Sequence, residues 1–284
     1  MAQPPDTPGS STPHQDRPPT ARLEMTGISV AFGGVQALTD VSLTVEPGQV
    51  HGLIGPNGAG KTTMFTVACG LVRPTGGRIV WRGQELRRLR PAQLAGLGIA
   101  RTLQGVGLFA GLTVLENVMV GAHRHARAGF LSALFAIPTS DADDARLRER
   151  AMTALGELDA DGYAARYPGS LPYPVQKRVA LARALVSEPE LLLRDEPASG
   201  LSEDEMQELG ELIGHLSGRM SVLLVEHHMD LVMSVCDRIT VLDFGKVIAN
   251  GTPAQVREDP LVLAAYLGDE GESAEALGTE GSGS

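Results

Sequence analysis

The chain has 284 residues, 43% of them hydrophobic but only 4% aromatic, and a formal net charge of −10. That length suits one large α/β domain with an appended subdomain. The acidic balance argues against gripping a nucleic-acid backbone, which needs clustered Lys and Arg, and the scarcity of aromatics argues against a base-stacking platform.

Residues 1 to 21, rich in Pro, Ser, Thr and Gln, bury too little to order themselves and are expected to form a disordered tail. They contain no basic-plus-apolar signal segment, and no run anywhere approaches the ~20 apolar residues of a membrane span. A cytosolic or peripheral protein is expected. The folded domain is expected over 22–268, followed by a disordered acidic tail over 269–284.

Short apolar runs at Val50–Ile54, Leu191–Leu193, Val222–Val225 and Ile239–Leu242 read as strands covered on both faces. Between them, helical signals cover Lys61 to Leu71, Val175 to Val186 and Glu203 to Leu216, stopped by Pro74, Pro189 and Gly218. The alternation predicts an α/β architecture with a mostly parallel sheet. Residues from about 105 to 175 lack convincing strands and hold helical patterns at Thr113–Ala122 and Asp143–Leu158, so an inserted α-helical subdomain is expected there. Cys69 and Cys236 lie in apolar-periodic segments and read as buried thiols.

The strand Val50–Ile54 leads into Gly55-Pro56-Asn57-Gly58-Ala59-Gly60-Lys61-Thr62, a full match to the phosphate-binding P-loop in its required strand–loop–helix setting. Glycines let successive N–H groups turn toward a phosphate, and the next helix directs its positive end there. Lys61 supplies a mobile charge for the β- and γ-phosphates, Thr62 a hydroxyl for Mg2+, and Thr63 a donor to another phosphate oxygen.

Farther on, the apolar strand Leu191–Leu193 ends in Arg194-Asp195-Glu196. Asp195 is expected to hold Mg2+, mostly through water, and Glu196 to polarise the attacking water as general base. Arg194 stands where a strand should be buried, so its charge must be paired or reach solvent. His123 and His125, beside Arg124 and Arg127, have no carboxylate or Cys partner at ligand spacing and read as a solvated helix end.

With Phe32, Gln104, Leu171 to Gln176 and His227 added in that chain order, the sequence resembles the nucleotide-binding subunits of ATP-binding-cassette (ABC) transporters over about residues 22 to 268. The resemblance implies a P-loop NTPase core with an antiparallel β subdomain, and an enzyme that hydrolyses ATP with Mg2+. By the same resemblance, Phe32 stacks on adenine, Gln104 reaches Mg2+ and the attacking water, and His227 contacts the γ-phosphate. Taken alone, these three would pass for a core aromatic, a surface amide and a helix-start histidine.

Glu226-His227-His228-Met229, Ala249-Asn250-Gly251-Thr252-Pro253 and Ala265-Tyr266-Leu267-Gly268 resemble the branched-chain amino acid importers, and Gly129–Pro138 resembles the extra segment of the longer of their two ATPases. Related subunits serve urea, other amides or lipopolysaccharide. The resemblance implies a second ABC ATPase as heterodimer partner, integral-membrane permeases, indirectly a periplasmic or lipoprotein solute-binding protein, and a place at the cytoplasmic face of the membrane. Nucleic acid is not among the expected partners.

One loop departs from the pattern. Where the family carries Leu-Ser-Gly-Gly-Gln, the chain reads Leu171-Pro172-Tyr173-Pro174-Val175. Pro172 removes a hydroxyl and Pro174 an N–H from a loop that caps the partner's ATP, so the two sites of a heterodimer are expected to be unequal. The alternative is a nucleotide-gated subunit with little turnover of its own.

Overall fold

The computed structural model describes residues 22–102, 105–122 and 139–266, without the side chains of 139–142. Both expected tails, Gly129–Pro138, the His123/His125 pair and Gln104 lie outside the described residues.

Two sheets form the scaffold. The first is antiparallel, in the order β2 (Val35–Val45), β1 (Leu23–Phe32), β4 (Gly76–Trp81), β5 (Gln84–Glu85). The second runs β10 (Lys246–Gly251), β9 (Arg238–Asp243), β3 (Val50–Ile54), β8 (Ser221–Val225), β7 (Leu191–Asp195), β6 (Ile99–Thr102). It is parallel from β9 to β6, with β10 antiparallel at one edge. The expected mostly parallel sheet and antiparallel β layer are both present. The antiparallel strands were not read from periodicity, because β1 and β2 mix apolar and polar positions around several register shifts.

The parallel strands are buried on both faces, and their side chains alternate between two cores as a period of two requires. Leu53, Leu191, Leu193, Leu223, Val225 and Leu242 face the antiparallel sheet and α1 (Lys61–Ala68). Ile54, Leu192, Val222, Leu224 and Val241 face the helical layer. Arg194 follows Leu192 by two positions and therefore points to the helical side.

After α2 (Leu94–Leu97) and β6, that layer holds α3 (Val114–Gly121), α4 (Thr139–Gly156), α5 (Tyr173–Leu185) and α6 (Glu203–Ser217). Thr113 caps α3, exchanging hydrogen bonds with Glu116, and Ser202 caps α6 with Glu205 in the same way. Helices α3 and α5 cross so closely that a Cβ on Gly121 would fall 1.9 Å from the carbonyl oxygen of Arg183. Buried Asn117 ties the preceding loop down by donating to the carbonyls of Phe109, Leu112 and Thr113. Two short helices, α7 (Met229–Val235) and α8 (Pro253–Glu258), flank the last strands.

Several boundaries move by a few residues. α1 stops at Ala68 rather than Leu71, because Gly70 has a positive φ of 68°. α5 begins at Tyr173 rather than Val175, since a proline is comfortable in a first helical turn. β7 extends through Arg194 to Asp195. Cys69 and Cys236 are buried free thiols, and burial pushes them up to about 11 and about 12.

Among the described residues no helix is long and apolar enough to cross a membrane.

Candidate functional site

From Ile54 the chain turns through Gly55–Gly60 into α1. Gly55 has φ 147°, and a Cβ there would lie 2.0 Å from the carbonyl oxygen of Leu242. Gly60, at φ 100°, is the N-cap of α1, and its Cβ would come 2.8 Å from Leu38 Cδ2 and 2.9 Å from the Ala37 oxygen. Both positions exclude any side chain, which lets the loop lie against β2 and the β9–β10 turn. Gly245 N donates to the Ala59 oxygen at 3.0 Å, and Thr39 N to the Gly245 oxygen at 2.8 Å, fixing the three segments together.

The N-cap offers α1 no side-chain hydrogen bond, and the first turn holds no acid, so the helix start remains a site for an anion. Lys61 is buried, with its Nζ donating to the carbonyls of Gly55 and Pro56 at 2.7 Å each. Asn57, Gly58 and Thr62 are exposed, Thr63 is half-buried, and Ala59 is buried. A buried ammonium held by the oxygens of its own loop fits a group that waits for phosphate oxygens.

Asp195 ends β7. That strand is not the immediate neighbour of the one leading into the loop, since β8 lies between β3 and β7. The two are still electrostatically joined. Burial pushes the Asp195 carboxyl up to about 6, Glu196 and Glu226 push the same way, and Lys61 opposes them. An acid pushed upward by burial and by neighbouring carboxylates suits a divalent metal, whose charge would favour the ionised form.

Glu196 adopts φ 45°, left-handed backbone that a non-glycine residue takes only where its surroundings impose it. Its N–H donates to the Val225 oxygen at 2.8 Å, locking the turn onto the end of β8. His227 lies just past that strand, with Nδ1 3.9 Å from Glu196 Oε1 and 3.7 Å from Glu226 Oε2.

Glu226, which the sequence offers only as part of the Glu226-His227-His228-Met229 resemblance, organises the turns around the site. Fully buried, it accepts from Ala198 N at 2.7 Å through Oε1, and through Oε2 from His227 N at 2.9 Å, His228 N at 3.3 Å and His228 Nδ1 at 3.0 Å. Burial pushes its carboxyl upward, but these donors outweigh it and hold it below the ordinary value. The other signal in sequence is its place directly after the apolar run that ends at Val225. Glu226, His227 and His228 place ligand-type atoms within 4.8 Å of one another, but the Glu226 oxygens are already committed to N–H donors.

Phe32, at the end of β1, is 51% exposed and so presents a ring to solvent. The departing loop starts α5: Pro172 is its N-cap, without a side-chain hydrogen bond, and Pro174 occupies its first turn. Gln176 Nε2 donates to the Leu171 oxygen at 2.9 Å.

Several comparisons bear on this geometry. A family model described as ABC transporter matches residues 38–199, and one described as branched-chain amino acid ATP-binding cassette transporter matches 246–272. The chain is 42% identical over 249 residues to the high-affinity branched-chain amino acid transport ATP-binding protein LivG of Escherichia coli K12, covering 87% of this chain and 98% of that one. The figures are the same for BraF of Pseudomonas aeruginosa. Identity to the lipopolysaccharide export ATP-binding protein LptB of Haemophilus influenzae is 33%, with the same coverage. In structure, the ADP conformation of MJ1267, an ATP-binding cassette of an ABC transporter, superposes with a TM-score of 0.75 at 30% identity, covering 87% of this chain and 99% of that one. A dimeric post-hydrolysis state of the cassette MJ0796, bound to ADP and phosphate, gives 0.67 at 25% identity and covers 81% and 98%.

Proposed function

Because the chain belongs to the ABC transporter ATP-binding family and is an ATPase of it, we propose that it powers import of branched-chain or related amino acids as one of two unequal ATPase subunits. The observation that carries the catalytic assignment is convergence: Lys61, Asp195, Glu196 and His227 come together at one end of β3, β7 and β8.

In this reading the N–H groups of Gly58 to Thr63 and the positive end of α1 hold the nucleotide's phosphates, with Gly55, Asn57 and Ala59 shaping the turn. Lys61 exchanges the carbonyls of Gly55 and Pro56 for β- and γ-phosphate oxygens, and Phe32 covers the adenine. Thr62, Asp195 and Gln104 would hold Mg2+, which supplies charge neutralisation between the β- and γ-phosphates. Glu196 accepts the proton of the attacking water as its oxygen bonds to the γ-phosphorus and the bond to the bridging oxygen breaks. His227, beside Glu196, donates to the γ-phosphate.

ABC ATPases work as dimers on membrane permeases, and here the partner is proposed to be a second, different ATPase. Peripheral attachment at the cytoplasmic face and an indirect link to a solute-binding protein complete the assembly. Domain limits of 22–268, a helical subdomain of about 105–175 and acidic or polar tails belong to the same reading. The prolines at the start of α5 favour the unequal pair, and they also support the second reading, a nucleotide-gated subunit with little turnover. ATP turnover by the reconstituted pair, stimulated by a branched-chain amino acid on its binding protein, tests the proposal. A pair that turns over ATP but ignores every such solute would overturn the cargo, and a chain with no Mg2+-dependent nucleotide binding would overturn the site.

A further inference from the structure

The chain carries a net charge of −10, yet one cavity gathers a dense group of cations. It measures about 430 Å³ and lies between the end of α1, β4 and the segment Leu86–Arg90 that leads to α2. Arg73, Arg78, Arg87, Arg88 and Arg90 line it, against a single carboxylate, Glu85. All of these arginines are exposed. Several exposed arginines elsewhere are tied to acids: Arg22 to Glu24 and Glu46, Arg150 to Glu188, Arg219 to Glu157. Here only Arg87 is, 3.7 Å from Glu85, while Arg73, Arg78, Arg88 and Arg90 make no ion pair among the described residues. An exposed pair of that length is worth little, so the cavity keeps a positive field.

The backbone that carries these cations is pinned. Thr75 donates to the Ser29 oxygen through N at 2.8 Å and through Oγ1 at 2.9 Å, fixing the loop just after Arg73. Leu86 N donates to the Ile79 oxygen at 2.8 Å. Gly70, at φ 68°, approaches Leu89 so closely that a Cβ there would fall 2.9 Å from its carbonyl carbon. The segment with Arg87, Arg88 and Arg90 is thereby held against the end of α1. Like charges mounted this close together repel, and an anion in the cavity offsets that cost.

We propose that this cavity binds a phosphate group, with Arg73, Arg78, Arg88 and Arg90 supplying the charge. Arginine suits phosphate because its planar fork of N–H donors matches the oxygens and its charge persists at any physiological pH. An anionic lipid headgroup and a free phosphate ester offer the same chemistry, and near an anionic leaflet each arginine contributes about fivefold in binding. The site lies at the other end of α1 from the phosphate cradle.

Co-sedimentation of the full chain with vesicles tests the lipid source. Calorimetric titration with glycerol 3-phosphate tests the free one, on Glu196→Gln saturated with MgATP so that the cradle is already filled. An acidic chain is repelled by anionic membranes unless a local patch holds it. Binding to vesicles of phosphatidylglycerol and phosphatidylcholine, and not to phosphatidylcholine alone, is expected. Arg88→Gln with Arg90→Gln should weaken it about twentyfold, and Arg148→Gln with Arg219→Gln, which removes the same charge elsewhere, about twofold or less. Glycerol 3-phosphate binding without vesicle binding, lost in the first double variant, assigns the site to a free phosphate ester. Binding of neither probe by a chain that still takes up MgATP, or equal losses in the two double variants, overturns the site and leaves the nucleotide reading intact.

Discussion

Two helix starts in this molecule present opposite answers to the same problem. α1 begins after a glycine at φ 100°, without a side-chain cap, with Lys61 folded over its loop and exposed Thr62 beside it. α5 begins after Pro172, with Pro174 in its first turn and no basic, Ser or Thr side chain in Leu171–Val175. Both are helix termini with a dipole that favours anions, yet only the first adds donors and a mobile charge to it. Backbone polarity alone therefore does not make a phosphate site, and in the proposed reading the side chains around each terminus separate one that would hold ATP from one that would only close over it.

The largest expected effect lies at the first terminus. Glu196→Gln in the reconstituted pair should lower single-turnover hydrolysis by ~10²–10⁴, the usual worth of a general base, with MgATP binding retained. Substantial residual turnover would erase the contrast, because the site capped by a normal partner loop would then not be the productive one. Lys61→Met should weaken nucleotide binding about 10- to 100-fold, from the loss of about 1.5–3 kcal/mol in charge-assisted hydrogen bonds; fluorescent-nucleotide titration measures it.

Acidity offers a finer probe. The free-chain Asp195 carboxyl is raised to about 6, and a metal ligand must be ionised. Affinity for Mg2+ with ATP should thus be full above pH 6 and fall about tenfold per unit below it. Calorimetry near pH 6 in buffers of different ionisation enthalpy should register about half a proton released from this carboxyl on binding, rising toward one at about pH 5, and that contribution should vanish in Asp195→Asn. The smallest change is expected at the second terminus. Pro172→Ser with Pro174→Gly restores a hydroxyl and an N–H, and a gain of about 0.5–1.5 kcal/mol from the pair together should raise turnover of the opposite site about two- to tenfold. An unchanged rate in a folded double variant would mean that the prolines are tolerated.

How much of this could be read from the sequence depended on whether a feature was local. The Val50–Ile54 strand, the glycine spacing and the Lys61–Thr62 pair carry their own geometry, and the structure reproduces the strand to the residue. Cores alternate along Leu191–Leu193 and Val222–Val225 because a strand buried on two faces has no other pattern to offer. The antiparallel sheet was legible only through resemblance, since its polar, bulged strands depend on pairing partners far away in the chain. Strand order was equally hidden: nothing in Leu191–Glu196 says that β8 intervenes before the loop. Arg194 was visible as a misfit, but its direction required the sheet. Glu226 was harder still, because its importance lies in four N–H groups contributed by two separate turns.

That carboxylate has a mechanical meaning. One of its oxygens holds Ala198, just beyond the proposed base, while the other holds the backbone entering α7 at His227 and His228. The two turns are yoked through a single rigid fork with no slack in it. In the proposed reading, a γ-phosphate drawing on His227 would pull on the same carboxylate that holds Ala198, coupling the segment Pro197–Ser199 to the nucleotide.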